Sequence, residues 1–303
     1  MVLSNTELPA DTAGKQLITG ETDVLETDEG VLYFYVNNWG DCGPSVDCCS
    51  SPGGCASCCF VPSSKKYPDE CVFVENHTVH VYATSDLRAW TYKGVALGVA
   101  DRGRGIEFRP HVVFNSRTKT YVMWFENRPT PIESSGYFVA TSTSPTGPFK
   151  QARAIIYMRA IFYFFGLSFA ANVFIYNFQV AGPVAVSDVP GDFDILVDGG
   201  NAYFVQTTTN DPNAANGFTV TKLRDDFLGP TNESRTFHSP KPAEGPVFFK
   251  RGAYFYILAG TTCCACRGGS SVYVFRSASP LGPFTYLGDV GSSGKFDPHS
   301  PLN

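Results

Sequence analysis

The feature that most limits what this chain can fold into is a pattern that returns four times. An aromatic run recurs as "LYFYVNNWG" (32–40), "YVMWFEN" (121–127), "AYFVQTT" (202–208) and "AYFYILAGTT" (253–262). Each is followed by a second run and a turn: "HVYATSDLRAWTYKG" (80–94), "YFVATSTSPTGPFKQ" (137–151), "FTVTKLRDDFLGPT" (218–231) and "VYVFRSASPLGPFTYLG" (272–288). Aromatic and β-branched runs bounded by Gly, Pro and Asp describe strands, and their return at a fixed period describes stacked, identical units. Tyr121 to Phe149 is 28 residues, Tyr203 to Pro230 is 27 and Tyr254 to Phe284 is 30. The chain is therefore expected to be all-β, a β-propeller with one four-stranded blade per repeat. A two-sheet sandwich also uses short strands, but it has no reason to repeat the turn S-P-x-G-P-F almost verbatim at 144–149 and 279–284.

Two stretches break the period within what otherwise reads as a single domain, 1–303. Tyr33 to Trp90 spans 57 residues, the excess being a cysteine-rich loop at 41–71. Phe149 to Tyr203 spans 54, and "AIIYMRAIFYFFGLSFAANVFIYNFQV" (154–180) supplies the surplus 27. Its uncharged part, 160–180, is long enough to cross a bilayer. However, Asn172, Asn177 and Gln179 lie inside it, and blades flank it on both sides. No membrane span is expected; the segment reads as an apolar insertion, a helix or irregular lobe outside the blades.

Composition excludes some classes. The net charge is −5 and no basic run exceeds two residues, so nucleic acid is not an expected partner. The 43% hydrophobic content fills a core, and the 14% aromatic content suits both strands and sugar-stacking surfaces. Seven of the ten cysteines lie between Cys42 and Cys71, and the others are Cys263, Cys264 and Cys266. An even count in a Gly/Ser-rich setting favours disulfides, at least one of them within 42–71, and an extracellular location. Zinc is the competing reading, because Cys55–Cys58 and Cys263–Cys266 have C-x-x-C spacing, although adjacent cysteine pairs crowd a tetrahedral site. The sequons at Asn76 and Asn232 agree with secretion, whereas "MVLSNTELPADTAGK" does not read as a signal peptide. No P-loop, dinucleotide-binding glycine pattern, H-E-x-x-H or G-x-S-x-G stretch is present, so neither a cofactor nor a metal at the site is expected.

One hairpin carries a chemical oddity. "AEGPVFFKRGAYFYILAG" (243–260) places Glu244 and then Gly245–Pro246 at the head of a hydrophobic run. Val247 and Phe249, then Tyr254, Tyr256 and Leu258, mark two half-buried strands around the turn at 250–252. A plain strand has no use for a carboxylate there; a site that needs a proton donor on a rigid wall does.

The stretches "FRPHVVFN…KTYVMWFE", "GDFDILVDGGNAYFV" and "EGPVFFKRGAYFYILAGTT…SPLGPFTYLGDV" resemble glycoside hydrolase family 43 and its five-bladed propeller relatives. The resemblance covers most of 20–300 apart from 154–180. It implies a fifth blade beyond the four visible repeats, incomplete or closed by 290–303 with the amino terminus. It also implies inverting cleavage of arabinofuranosides, xylosides or β-galactosides in plant or algal-type polysaccharides and oligosaccharides. Such cleavage uses a protonated acid on one face of the sugar and a water-activating base on the other. A third carboxylate holds the acid's pKa up.

The resemblance matches Glu244 to the acid. Asp192, six residues before Asp198, matches the pKa-modulating carboxylate, with Asp194 as the alternative; the family's D-D-D-G turn is one residue shorter here. Asp23, ten residues before Tyr33, matches the base, in an acidic stretch shared with Glu21, Glu26 and Asp28. Galactan-cleaving relatives show E-R-P where this chain has Glu107–Phe108–Arg109–Pro110, and a one-residue shift on a strand turns a side chain to the other face. Glu107, Arg109, His111, Trp39 and Gln206 complete the candidate sugar contacts, and Trp124 reads as core. The three carboxylates are expected to converge on one central funnel. A propeller that binds carbohydrate without cleaving it is the alternative function, and a protein-interaction propeller is third.

Overall fold

A computed structural model describes residues 10–15, 17, 22–38, 77–102, 106–128, 136–152, 159–164, 167–172, 191–208, 216–260 and 271–291. Four antiparallel sheets of four strands carry the fold, each strand pairing with the next in sequence. Blade 1 is β1 (Thr22–Glu26), β2 (Leu32–Asn38), β3 (Thr78–Thr84) and β4 (Thr91–Leu97). One helical turn, α1 (Val99–Arg102), leads to blade 2: β5 (Ile106–Asn115), β6 (Thr120–Arg128), β7 (Gly136–Ser142) and β8 (Lys150–Gln151). Strands β9 (Arg159–Phe164) and β10 (Leu167–Asn172) intervene. Blade 3 is β11 (Phe193–Asp198), β12 (Asn201–Thr207), β13 (Gly217–Leu223) and β14 (Pro230–His238). Blade 4 is β15 (Glu244–Arg251), β16 (Tyr254–Gly260), β17 (Tyr273–Ser277) and β18 (Thr285–Asp289). The four repeats of the sequence are thus the four blades among the described residues.

The blades hold together through cores that lie between them. Tyr35, Val79 and Val81 of blade 1 pack on Val112, Met123, Phe125 and Phe138 of blade 2. Trp124, Tyr137 and Val139 of blade 2 pack on Phe193, Ile195 and Phe204 of blade 3. Val205, Phe218 and Val220 of blade 3 pack on Phe248, Phe255, Ile257 and Phe275 of blade 4. Each fully buried large side chain contributes about 1.5–3 kcal/mol, so three such layers are the main stabilising term. Trp124 is core as expected, and its indole N–H donates to the Phe227 carbonyl at 2.9 Å across the blade 2–3 boundary. One strand turns the other face to the core from the one its alternation suggests. In β16 the deeply buried residues are Phe255, Ile257 and Ala259, not Tyr254, Tyr256 and Leu258. That run is apolar at nearly every position, so alternation does not say which face is core.

The twin S-P-x-G-P-F turns are built alike. Gly147 and Gly282 both take left-handed backbone (φ 80° and 84°), and each joins its proline through a cis bond. The expectation of a helix or irregular lobe within 154–180 is corrected. β9 and β10 form an antiparallel hairpin, Arg159 opposite Asn172 and Phe164 opposite Leu167, and pair with no blade strand. Runs such as Ile161–Phe162–Tyr163–Phe164 favour extended over helical backbone, because aromatic and β-branched side chains suit a pleated surface. No helix among the described residues is long and apolar enough to cross a membrane. The cysteines and Trp39 lie outside the described residues.

Candidate active site

The inner strands β1, β5, β11 and β15 bring their first residues to one end of the propeller axis. Two of them open in the same way. In β5 the pairing register shifts between Phe108 and His111, and in β15 between Glu244 and Val247. At each shift a left-handed residue precedes a proline: Arg109 (φ 55°) before Pro110, Gly245 (φ 61°) before Pro246. Backbone contacts from the preceding blade fix the correspondence. Asn37 of blade 1 donates to the Glu107 carbonyl at 3.4 Å, as the Thr207 hydroxyl of blade 3 donates to the Ala243 carbonyl at 3.1 Å. Asp23 accepts the Val112 N–H at 2.6 Å, as Asp194 accepts the Phe248 N–H at 2.5 Å. Glu107 therefore corresponds to Ala243, Phe108 to Glu244 and Arg109 to Gly245.

This register explains Glu107. It is fully buried, and its N–H donates to His77 Nε2 at 2.8 Å. His77 must accept there; burial, and then the nearby Arg102, lower its pKa to about 3. Glu107 thus sits inside the propeller rather than on a sugar-facing wall. The position that carries an acid in blade 4 carries buried Phe108 in blade 2. Gln206 is likewise buried, facing Phe193 across the β11–β12 ladder.

Three candidate residues form one cluster at the axis. Arg109 Nη2 lies 2.8 Å from Asp192 Oδ1, and the Gly245 N–H donates to Asp192 Oδ2 at 2.9 Å. Both oxygens of Asp192 are thereby engaged, next to half-buried Glu244. Burial raises the pKa of Glu244, the Asp192 charge raises it further, and Arg109 opposes them; the net direction is up. A carboxyl with a raised pKa beside a carboxylate held by a guanidinium is an arrangement that suits a general acid. Tyr137 locks the backbone behind Asp192. Its hydroxyl donates to the Gly191 carbonyl at 2.6 Å and accepts the Gly191 N–H at 2.7 Å. Nothing in "GYFVATS" distinguishes this tyrosine from an ordinary core residue.

The second cluster lies two residues further along the same strands. His111 Nδ1 is 3.2 Å from Asp23 Oδ1 and 3.1 Å from Asp194 Oδ1, and Nε2 faces the Ile195 carbonyl at 3.2 Å. Acceptors at both ring nitrogens call for a doubly protonated imidazole. Burial works against that charge, but Asp23, Asp194 and the Ile195 carbonyl outweigh it, so the pKa of His111 rises. Burial raises the pKa of Asp23, against the pull of His111 and the Val112 N–H. The structure thus brings Asp192 and Glu244 into one cluster and Asp23 into the other. Asp23 has one oxygen on Val112 and the other on His111.

A cavity of about 1130 Å3 opens at the axis, walled by β1, β5, β11 and β15, with Asp23, His111 and Asp194 on its wall. Arg109, Gly245 and Pro246 line it, as do Glu26, Asp28 and Glu29; Asp192 and Glu244 do not. Val24 (45% exposed) and Val247 (52%) face it from its two sides. No cluster of His, Cys, Asp and Glu among the described residues could hold a metal ion.

No family model matches the chain, and no curated protein matches it in sequence. Solved structures do share its fold. An exo-β-1,3-galactanase from Phanerochaete chrysosporium, with galactose, is 18% identical, with 96% of this chain and 54% of that one covered and a TM-score of 0.63. An exo-β-1,3-galactanase from Clostridium thermocellum is also 18% identical, with coverages of 96% and 52% and a TM-score of 0.64. A glycoside hydrolase family 43 β-1,3-galactosidase with galactodeoxynojirimycin is 19% identical, with coverages of 97% and 83% and a TM-score of 0.64. The chain spans about half the length of both galactanases. At these identities the likeness is one of fold, the propeller on which family 43 glycosidases are built.

Proposed function

We propose that the chain is a family 43 glycoside hydrolase that cleaves O-glycosidic bonds by an inverting acid/base mechanism, with a β-1,3-linked galactan as substrate. The observation that carries the proposal is Glu244, a half-buried carboxyl with a raised pKa beside an Asp192 held by Arg109 and the Gly245 N–H. In this reading Glu244 donates its proton to the leaving glycosidic oxygen, and the fixed charge of Asp192 keeps that proton in place until then. The galactan assignment rests on the names of the proteins that share the fold. A fifth blade would occupy the space between β15 and β1 that Val24 and Val247 face. Secretion and a disulfide-stapled loop at 41–71 complete the proposal.

Asp23 favours a second reading. Its oxygens already serve Val112 and His111, so we assign it to holding the blades together rather than to activating water. A propeller that binds galactan without hydrolysing it would need no base. The discriminating experiment incubates purified protein with β-1,3-galactan, arabinan, xylan and aryl β-galactosides while following reducing ends and binding separately. Galactose release abolished by Glu244→Gln supports the hydrolase. Binding with no release supports the second reading.

A further inference from the structure

Arg109 stands where the chain's own repeat uses glycine. Arg109 and Gly245 occupy corresponding places in two bulges, each left-handed and each followed by proline. A side chain makes that backbone unfavourable, and a following proline restricts it further. Glycine takes it without strain, and in blade 4 glycine is what the chain has. The guanidinium in blade 2 reaches across to blade 3 and lies 2.8 Å from Asp192 Oδ1. Asp192 in turn bonds the Gly245 N–H of blade 4, the residue that follows Glu244. One side chain thus ties a carboxylate of a second blade to the acid-bearing bulge of a third.

We propose that Arg109 is a positioning residue, kept in a strained backbone because its guanidinium holds Asp192 against the Glu244 bulge. The proposal rests on the reading of Glu244 and Asp192 as the proton-donating pair, and it adds the group that sets their arrangement. Among the described residues, the charges that act on Glu244 are those of Asp192 and Arg109. Tyr137 and Glu126 stand behind Asp192. Arg109 is the cation of this set, and it works against the rise in the Glu244 pKa. Arginine suits the task because its planar fork fixes a carboxylate's direction as well as its charge.

The test compares wild type, Arg109→Gly and Arg109→Lys. Thermal unfolding and a carboxyl NMR titration, with Glu244→Gln identifying the resonance, need no substrate. Arg109→Gly loses the ion pair to a largely buried Asp192, but relief of the left-handed strain offsets part of that loss. It should therefore unfold at a temperature closer to wild type than a broken buried ion pair alone would give. Its Glu244 titration should move to higher pH, and Arg109→Lys should bring it part of the way back. On β-1,3-galactan, kcat of Arg109→Gly should fall roughly 10- to 100-fold with KM little changed, the pattern of lost positioning. An unfolding temperature in Arg109→Gly lowered by the full cost of a broken buried ion pair would show that no strain is relieved and overturn the proposal. An unmoved Glu244 titration, or a change confined to KM, would also overturn it. If wild type cleaves no glycan, the hydrolase reading fails, and the unfolding and titration results still decide the place of Arg109.

Discussion

Asp23 and Asp194 do the same work in two blades: each accepts an N–H from the inner strand of the next blade, and both close on the imidazole of His111. The resulting network passes from blade 1 (Asp23) through blade 2 (His111, Val112) and blade 3 (Asp194, Ile195) to the Phe248 N–H of blade 4. Hydrophobic layers join the blades in pairs; this charged chain joins all four at the axis. Its counterpart one step nearer the end of the strands is Asp192, which serves Gly245. By the same register the blade 1 counterpart of Asp192 is Glu21, which lies outside the described residues.

His111 makes stability depend on pH. Its folded pKa lies above the ordinary 6.5, so its contribution is complete below 6.5 and is lost as pH rises through the folded value. The melting temperature should therefore fall as pH rises from 6.5. Asp23, also raised, likewise favours the fold while protonated, so stability is lost as pH climbs from 3.8 to its folded value. His111→Ala leaves two partly buried carboxylates without their cation and should cost about 3 kcal/mol at neutral pH. Acidification should restore part of that loss. Denaturant titrations of both proteins across pH check it, and identical pH profiles would remove His111 from the role.

Gly245 should resist substitution. Among the described residues a Cβ there meets only the Asp192 carboxylate at 3.9 Å, an ordinary contact, but the φ of 61° disfavours any L side chain. Gly245→Ala should cost about 1–2 kcal/mol of stability and disturb the acid's bulge. A melting temperature equal to wild type, with unchanged activity, would mean that the bulge relaxes freely.

Deleting 154–180 should leave the fold intact. Its described strands pair only with each other, and the described core between blades 2 and 3 runs through Trp124, Tyr137, Phe193 and Phe204. Closing the chain restores the repeat spacing, and a loop's closure entropy changes only logarithmically with length. Solubility should rise, because an apolar segment is removed. Loss of cooperative unfolding in the shortened protein would make the hairpin part of the propeller.

The blades were legible because a propeller writes the same strand pattern repeatedly, and the twin S-P-x-G-P-F turns fix the phase. Glu244 and Asp192 were singled out by a motif and a spacing, and the structure sets them side by side. Which face of β16 is core was not legible, because its run is apolar at nearly every position. The division between Asp192 and Asp194 was not legible either. Two carboxylates on one strand face look alike in sequence, yet one bonds Gly245 and Arg109 while the other bonds Phe248 and His111. Arg109 escaped as a counterpart of glycine, because its left-handed backbone shows only in the structure. Glu107 turned inward for the same reason, since the bulge resets the register.

Glu244 as a proton donor is tested most directly by product release from β-1,3-galactan. Wild type, Glu244→Gln and Asp192→Asn should be compared at equal folded concentration, with galactose measured over time across pH. Wild type should release galactose of inverted anomeric configuration, with activity falling on the alkaline side as Glu244 loses its proton. Glu244→Gln should fold and bind but lose activity by roughly 100-fold or more, the scale of one general acid. Asp192→Asn should shift the alkaline limb to lower pH, because the charge that raises the Glu244 pKa is gone. Galactose release that survives in Glu244→Gln at the wild-type rate would contradict the assignment.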